Sequence, residues 1–133
     1  MQDRFKFRVW NKENKKLYDW DFLEKTKGEN TFFWVMHQAQ NDCKNNILMQ
    51  CTGLKDKNGK LIYEGDIVKD KCSEAVATIE YLPYTFSLMA HIRGMDDYLP
   101  LEDICYALEV ATPFEVIGNI YENPELLEVS NDH

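Results

Sequence analysis

The sequence predicts a mainly β protein, a small antiparallel barrel or sandwich built as one compact domain or two tightly joined small lobes, with at most one or two short helices. Three observations carry that prediction. Residues 4–10 alternate strictly between two faces, an Asn-Gly pair lies between apolar runs at 58–59, and turn residues separate short β-branched and aromatic stretches through most of the chain. The 133 residues are 44% hydrophobic and 29% charged, which suits a single compact core and excludes wholesale disorder. The apolar runs are too short for a membrane-spanning helix. The expected organisation is a β-hairpin lobe over residues 1–46, a small barrel-like lobe over 47–128 and a frayed tail at 129–133.

Each element has a local reason. Phe5, Phe7 and Val9 fall on one face of the first strand, and Arg4, Lys6, Arg8 and Trp10 on the other, as period-two alternation requires. Asn11–Asn14 supplies a turn, and Leu17–Trp20 reads as the return strand. A polar stretch around Lys25–Asn30 separates this hairpin from Thr31–Met36, whose β-branched and aromatic residues predict another strand, apolar on both faces. Gln38–Asn46 reads as polar turn and Ile47–Cys51 as strand. The Asn58-Gly59 pair predicts a tight hairpin with positive φ at both central residues. Gly65-Asp66 predicts a second turn leading into Ile67–Lys69. Ala75–Leu82 and Phe86–Ile92 form the next antiparallel pair, bent around Pro83-Tyr84. Helical spacing of Leu101, Ile104, Cys105 and Leu108 after Pro100 predicts a short helix. Glu115–Ile120 is strand-like, and Pro124–Leu127 suits one last helical turn. The stretch 14–19 faintly echoes 58–64, an echo that shared hairpin chemistry explains as well as duplication does.

Charge is unevenly spread. Residues 1–71 hold 14 Lys/Arg against 11 Asp/Glu, whereas 72–133 hold one arginine against 12 acids, within a net charge of −8. The acidic half repels phosphate backbones. Arg4, Lys6, Arg8, Lys12, Lys15 and Lys16 form a basic strip whose plainest role is a solvated outer hairpin face. Such a dipolar chain could also stack head to tail with its own copies.

Motifs for chemistry are scarce. Cys43, Cys51, Cys72 and Cys105 form no C-x-x-C pair, and the start MQDRFKFRVW has no apolar leader core, so reduced, buried thiols in a cytoplasmic protein are expected. His37, His91 and His133 are scattered, and Asp96-Asp97 with Glu102-Asp103 form an acidic cluster that reads as solvated. Asp56–Gly59 lacks the distal ligands of a calcium loop and reads as a turn. No glycine-rich phosphate cradle is present. Catalytic, metal-binding and cofactor-binding residues are therefore not assigned. Trp10, Trp34 and the other rings either fill the core or form an exposed platform for a peptide or single-stranded nucleic acid.

Three blocks together resemble the YopX family of phages and of prophages in low-GC Gram-positive bacteria. They are KFRVWNKENKKL (6–17), QCTGLKDKNGKLIYEGDIV (50–68) and FEVIGNIYENPELL (114–127). The resemblance implies two packed β-lobes and a cytoplasmic protein of an infected or lysogenic cell, and it brings no catalytic residues. Tyr63, Glu64 and Asp66 in the second block stand at a polar turn, a frequent place for function, although the favoured role of Asp66 is to cap or brace its own turn. With Arg4, Lys6, Arg8, Trp10 and Trp34 they make up the candidate interaction surface. The expected role is a noncatalytic accessory module that self-associates or contacts a host or phage protein. The alternative is a nucleic-acid-associated regulator or an acidic nucleic-acid mimic.

Overall fold

The computed structural model describes residues 6–41, 44–70, 74–82, 87–94, 98–100 and 114–128. The chain is mainly β and divides into two compact units, Met1–Cys51 and Thr52–His133. That division falls inside one strand, five residues beyond the boundary expected at residue 46.

The first unit begins with β1 (Phe7–Asn11) and β2 (Lys16–Tyr18), paired antiparallel with Trp10 opposite Leu17. Strand β3 (Asn46–Lys55) pairs on the other side of β1, with Arg8 opposite Met49. β1 is thus an interior strand, and its central residues Arg8, Val9 and Trp10 are all buried. This corrects the expected solvated outer face at Arg8, whereas Lys12, Lys15 and Lys16 of the same strip are exposed as expected. Alternation assigns two faces to a strand, but only its neighbours decide whether both are covered.

The placement of helix in this unit, where strand was expected, is the main correction. Asp19 leaves the sheet and caps α1 (Trp20–Lys27), its Oδ1 accepting the Phe22 N–H at 2.8 Å. Gly28, at φ 60, ends that helix and leads through a 3-10 turn into α2 (Thr31–Asn41). Residues 31–36 are therefore helix where a strand was expected, and 20, 25–30 and 38–41 are likewise not return strand, spacer and turn. Helical spacing turns Thr31 and Val35 inward beside Leu23, all three buried, and leaves Phe33 74% exposed. The Thr31 hydroxyl donates to the Gly28 carbonyl at 2.6 Å. Val9, Leu23 and Val35 form the core of this unit, flanked by Phe7, Tyr18, Trp34, Met36 and Leu48. Packing of that stripe outweighs the β propensity of a Thr-Phe-Phe-Trp-Val run.

After β3 come β4 (Leu61–Tyr63) and β5 (Asp66–Asp70), the first closing a four-stranded sheet of order β2-β1-β3-β4. A second, five-stranded sheet contains β5, β6 (Val76–Leu82), β7 (Ser87–Ile92), β8 (Tyr98–Pro100) and β9 (Phe114–Asn119), in the order β8-β7-β6-β5-β9. Pairing of β6 with β7 follows the expected antiparallel arrangement, Ile79 opposite Ala90. β9 returns to pair with β5, with a register shift between Ile67 and Val68. Ile62, Val68, Ala77, Ile79, Ala90 and Phe114 build the core of the second unit. Pro124–Leu127 forms the expected final turn, in 3-10 form. The helix expected over 101–108, the bend at Pro83-Tyr84 and the tail at 129–133 lie outside the described residues.

Candidate functional site

The second and third sequence blocks meet around two turns of the second unit. The first turn joins β3 to β4. Gly59 N–H donates to the Asp56 carbonyl at 3.0 Å, and Asp56 N–H donates to the Lys60 carbonyl at 2.7 Å. Only Gly59, at φ 86, has positive φ here, so the loop is a three-residue type I turn with a glycine bulge. This replaces the expected two-residue turn with positive φ at both Asn58 and Gly59.

Asp56 stands at the first position of that turn and is 1% exposed. Its Oδ1 accepts the N–H groups of Asn58 at 2.9 Å and Lys60 at 2.8 Å, while Oδ2 accepts that of Val116 at 3.1 Å. One carboxylate thus shapes its own turn and ties it to β9, 60 residues away. Lys57 adds two further links, its N–H to the Phe114 carbonyl at 2.8 Å and its Nζ to Glu115 at 3.4 Å. Burial pushes the Asp56 pKa up, but the N–H bonds from Val116, Lys60 and Asn58, with the Lys60 charge, outweigh it and hold the carboxyl below the ordinary value.

The second turn joins β4 to β5. Gly65, at φ 87, supplies the left-handed residue. Asp66 is 1% exposed, and its Oδ2 accepts the Tyr63 N–H at 2.8 Å, bracing its own turn. Gly65 N–H donates to the Ile79 carbonyl at 2.8 Å, and the Gly65 carbonyl accepts the Ile120 N–H at 2.9 Å, so the turn is held from both sides. Asp66 lies opposite Asn119 in the β5–β9 pairing. The Asn119 side chain accepts the N–H groups of Tyr121 and Glu122 at 3.0 and 2.9 Å and donates to Glu122 Oε1 at 2.8 Å. Asn123 Oδ1 accepts the Asn119 N–H at 3.2 Å. A Cβ on Gly118 would come within 2.6 Å of that same oxygen, so the close approach explains the glycine.

The candidate interaction residues do not gather into one site. Arg8, Trp10, Tyr63 and Asp66 are 6%, 7%, 9% and 1% exposed, which removes them from any accessible contact surface. Lys6 and Glu64 are half-buried, the Lys6 carbonyl accepting the Cys51 N–H at 3.0 Å. Trp34 is half-buried beneath Lys27, whose Nζ stands 4.5 Å from the ring centroid. Arg4 lies outside the described residues. Asp56 and Asn119 emerge as the residues that organise the blocks; the sequence signals were an acid at the start of an Asn-Gly turn and two asparagines four positions apart.

The remaining chemistry-bearing groups are dispersed. His91 Nδ1 and Glu80 Oε2 are 2.8 Å apart across β6 and β7, His37 is exposed on α2, and Cys51 is buried and outside any disulfide. Among the described residues no group of three or more His, Cys, Asp or Glu is placed to hold a metal ion, and no helix is long and apolar enough to cross a membrane. The acidic cluster at 96–97 and 102–103, His133 and the other three cysteines lie outside the described residues.

Fold and braces together define a small, mainly β protein of two units whose buried turn carboxylates and asparagines serve the backbone. The chain belongs to the YopX family: the family model described as YopX protein matches residues 6–128. It is similar in structure to protein EF1440 from Enterococcus faecalis, known from a crystal structure, at 27% identity and a TM-score of 0.54, over 92% of this chain and 97% of that one. No curated protein matches.

Proposed function

We propose that this YopX-family chain is a noncatalytic accessory module of phage or prophage origin, acting in the bacterial cytoplasm through protein contacts that include self-association. One observation carries the reading: the buried acids of the shared blocks, Asp56 and Asp66, accept backbone N–H groups and are committed to bracing turns. A carboxylate that accepts several amide protons is a poor general base, because those bonds stabilise its charged form. The contact surface lies elsewhere, and the exposed large apolar side chains among the described residues, Phe22 and Phe33, stand on α1 and α2.

Sedimentation velocity on the full chain tests this reading. Association with a self-affinity of about 10 µM or tighter, about −7 kcal/mol, is expected. A strict monomer at about ten times that concentration, with no specific protein captured from infected cells, contradicts it. The alternative of a nucleic-acid-associated regulator draws on the exposed lysines of the β1–β2 turn. Against it stands Trp10, which at 7% exposure offers no stacking surface.

A further inference from the structure

We infer that the lysine-bearing end of the β2-β1-β3 sheet docks on the acidic carboxy-terminal turn of a second copy of this chain. The inference rests on the self-association proposed above and assigns it a surface. Lys12, Lys15, Lys16 and Lys44 are all exposed, and the backbone brings them to one end of the sheet. Lys12 N–H donates to the Asn45 carbonyl at 2.7 Å, placing the β1–β2 turn beside the start of β3. Asn11 pairs with Lys16 on one side and with Asn46 on the other.

Asparagines hold this frame. Asn11 Nδ2 donates to Asn46 Oδ1 at 2.7 Å, and Asn11 Oδ1 accepts the Asn14 N–H at 2.8 Å. The four lysines are thus carried on a fixed scaffold, with only Glu13 as an opposing charge within residues 11–16 and 44–46. Concentrated positive charge of this kind attracts an acidic surface and orients its approach.

The chain itself supplies that surface. Residues 1–51 carry nine Lys/Arg against seven Asp/Glu, whereas 52–133 carry six against 16. Several of those acids are engaged: Asp56 and Asp66 brace turns, Glu80 faces His91 and Glu115 pairs with Lys57. Glu125 and Glu128 are exposed, on the 3-10 turn Pro124–Leu127 and at its end, and the Arg93 cation stands at the turn, its Nη1 donating to the Leu126 carbonyl at 3.0 Å. The Asn119–Asn123 bonds fix where that turn leaves β9. Each copy therefore holds both halves of a complementary pair, and the contact is head to tail. Nucleic acid is the less suitable occupant, because Trp10 beside this turn is 7% exposed and offers a base no stacking surface.

Charge reversal and exchange on the full chain test the inference. The variants are K12E/K15E/K16E, with K12Q/K15Q/K16Q as the milder form, and E125K/E128K. All five positions are exposed, and circular dichroism checks that each variant folds. Self-association should weaken at least about tenfold between about 20 and 300 mM salt, as screening shortens the reach of the charges. Each variant alone should associate at least about tenfold more weakly than wild type, and mixing K12E/K15E/K16E with E125K/E128K should restore association to within about threefold. Self-association unchanged in every variant would overturn this surface while leaving the proposed function standing. Failure of the mixture to associate, or binding of a single-stranded oligonucleotide that the lysine variants lose, would also overturn it. A wild-type chain that stays monomeric at low salt would overturn this surface, and if it also captured no specific protein from infected cells it would contradict the proposed function.

Discussion

Replacing Asp56 by asparagine keeps the size of the side chain and removes its charge, which makes Asp56→Asn a sharp test of the bracing role. The three groups that point at this carboxylate, the N–H groups of Asn58, Lys60 and Val116, are all donors. An asparagine can turn its oxygen toward Asn58 and Lys60, but its NH2 then faces the Val116 N–H. Two charge-assisted bonds become neutral ones, a loss of about 1 kcal/mol each, and one buried donor is left unsatisfied at about 1–2 kcal/mol more. The expected cost is about 3–4 kcal/mol, equivalent to a fall in Tm of about 10 °C for a domain of this size. The pH dependence gives an independent check. Folding lowers the Asp56 pKa, so its contribution is complete above the ordinary carboxylate value of 3.8 and is lost as pH falls through the lower, folded-state value. Urea denaturation at neutral pH should therefore show the full gap between wild type and variant, and the gap should narrow below about pH 4. A variant within about 0.5 kcal/mol of wild type at neutral pH, or a gap that persists unchanged in acid, would refute the reasoning.

Three further outcomes are expected. Gly118→Ala should cost about 1–3 kcal/mol, because its Cβ meets Asn123 Oδ1 at 2.6 Å; Asn123→Gly in the same chain should recover part of that loss in thermal denaturation. Leu23→Ala, at a site 1% exposed between α1 and the sheet, should cost about 3 kcal/mol and reduce helical circular dichroism first on heating, whereas a strand over 31–36 would leave Leu23 with little to pack against. Lys15→Asn should stabilise the chain by about 0.5–1 kcal/mol in urea titration, since Lys15 sits at φ 55 and asparagine tolerates that backbone better than lysine does.

Much of the β architecture was legible because its instructions are local. The Asn58-Gly59 and Gly65-Asp66 turns, the β6–β7 pair and the closing Pro124–Leu127 turn each follow from residues adjacent in sequence. The helices escaped for the opposite reason. Thr31–Met36 has the composition of a strand, and only the burial of Thr31 and Val35 against Leu23 selects helical spacing. The signal that was present, an aspartate capping Trp20–Lys27, is short and was overshadowed by the aromatic run. Burial of Arg8 and Trp10 was likewise invisible, since it depends on β3 joining β1 from 35 or more residues away. The role of Asp56 combines both kinds of information. Its turn is local, but the bond to Val116 exists only once β9 has returned beside β5.

Native-state hydrogen exchange at the amides of Lys60, Tyr63, Val116 and Ile120 bears most directly on the claim that the shared blocks build scaffold. Their acceptors are Asp56, Asp66, Asp56 again and the Gly65 carbonyl. The account predicts that these four exchange together, and only through opening as costly as global unfolding of the second unit. Rapid exchange at Val116 and Tyr63, with the strand amides of β6 and β7 still protected, would contradict it.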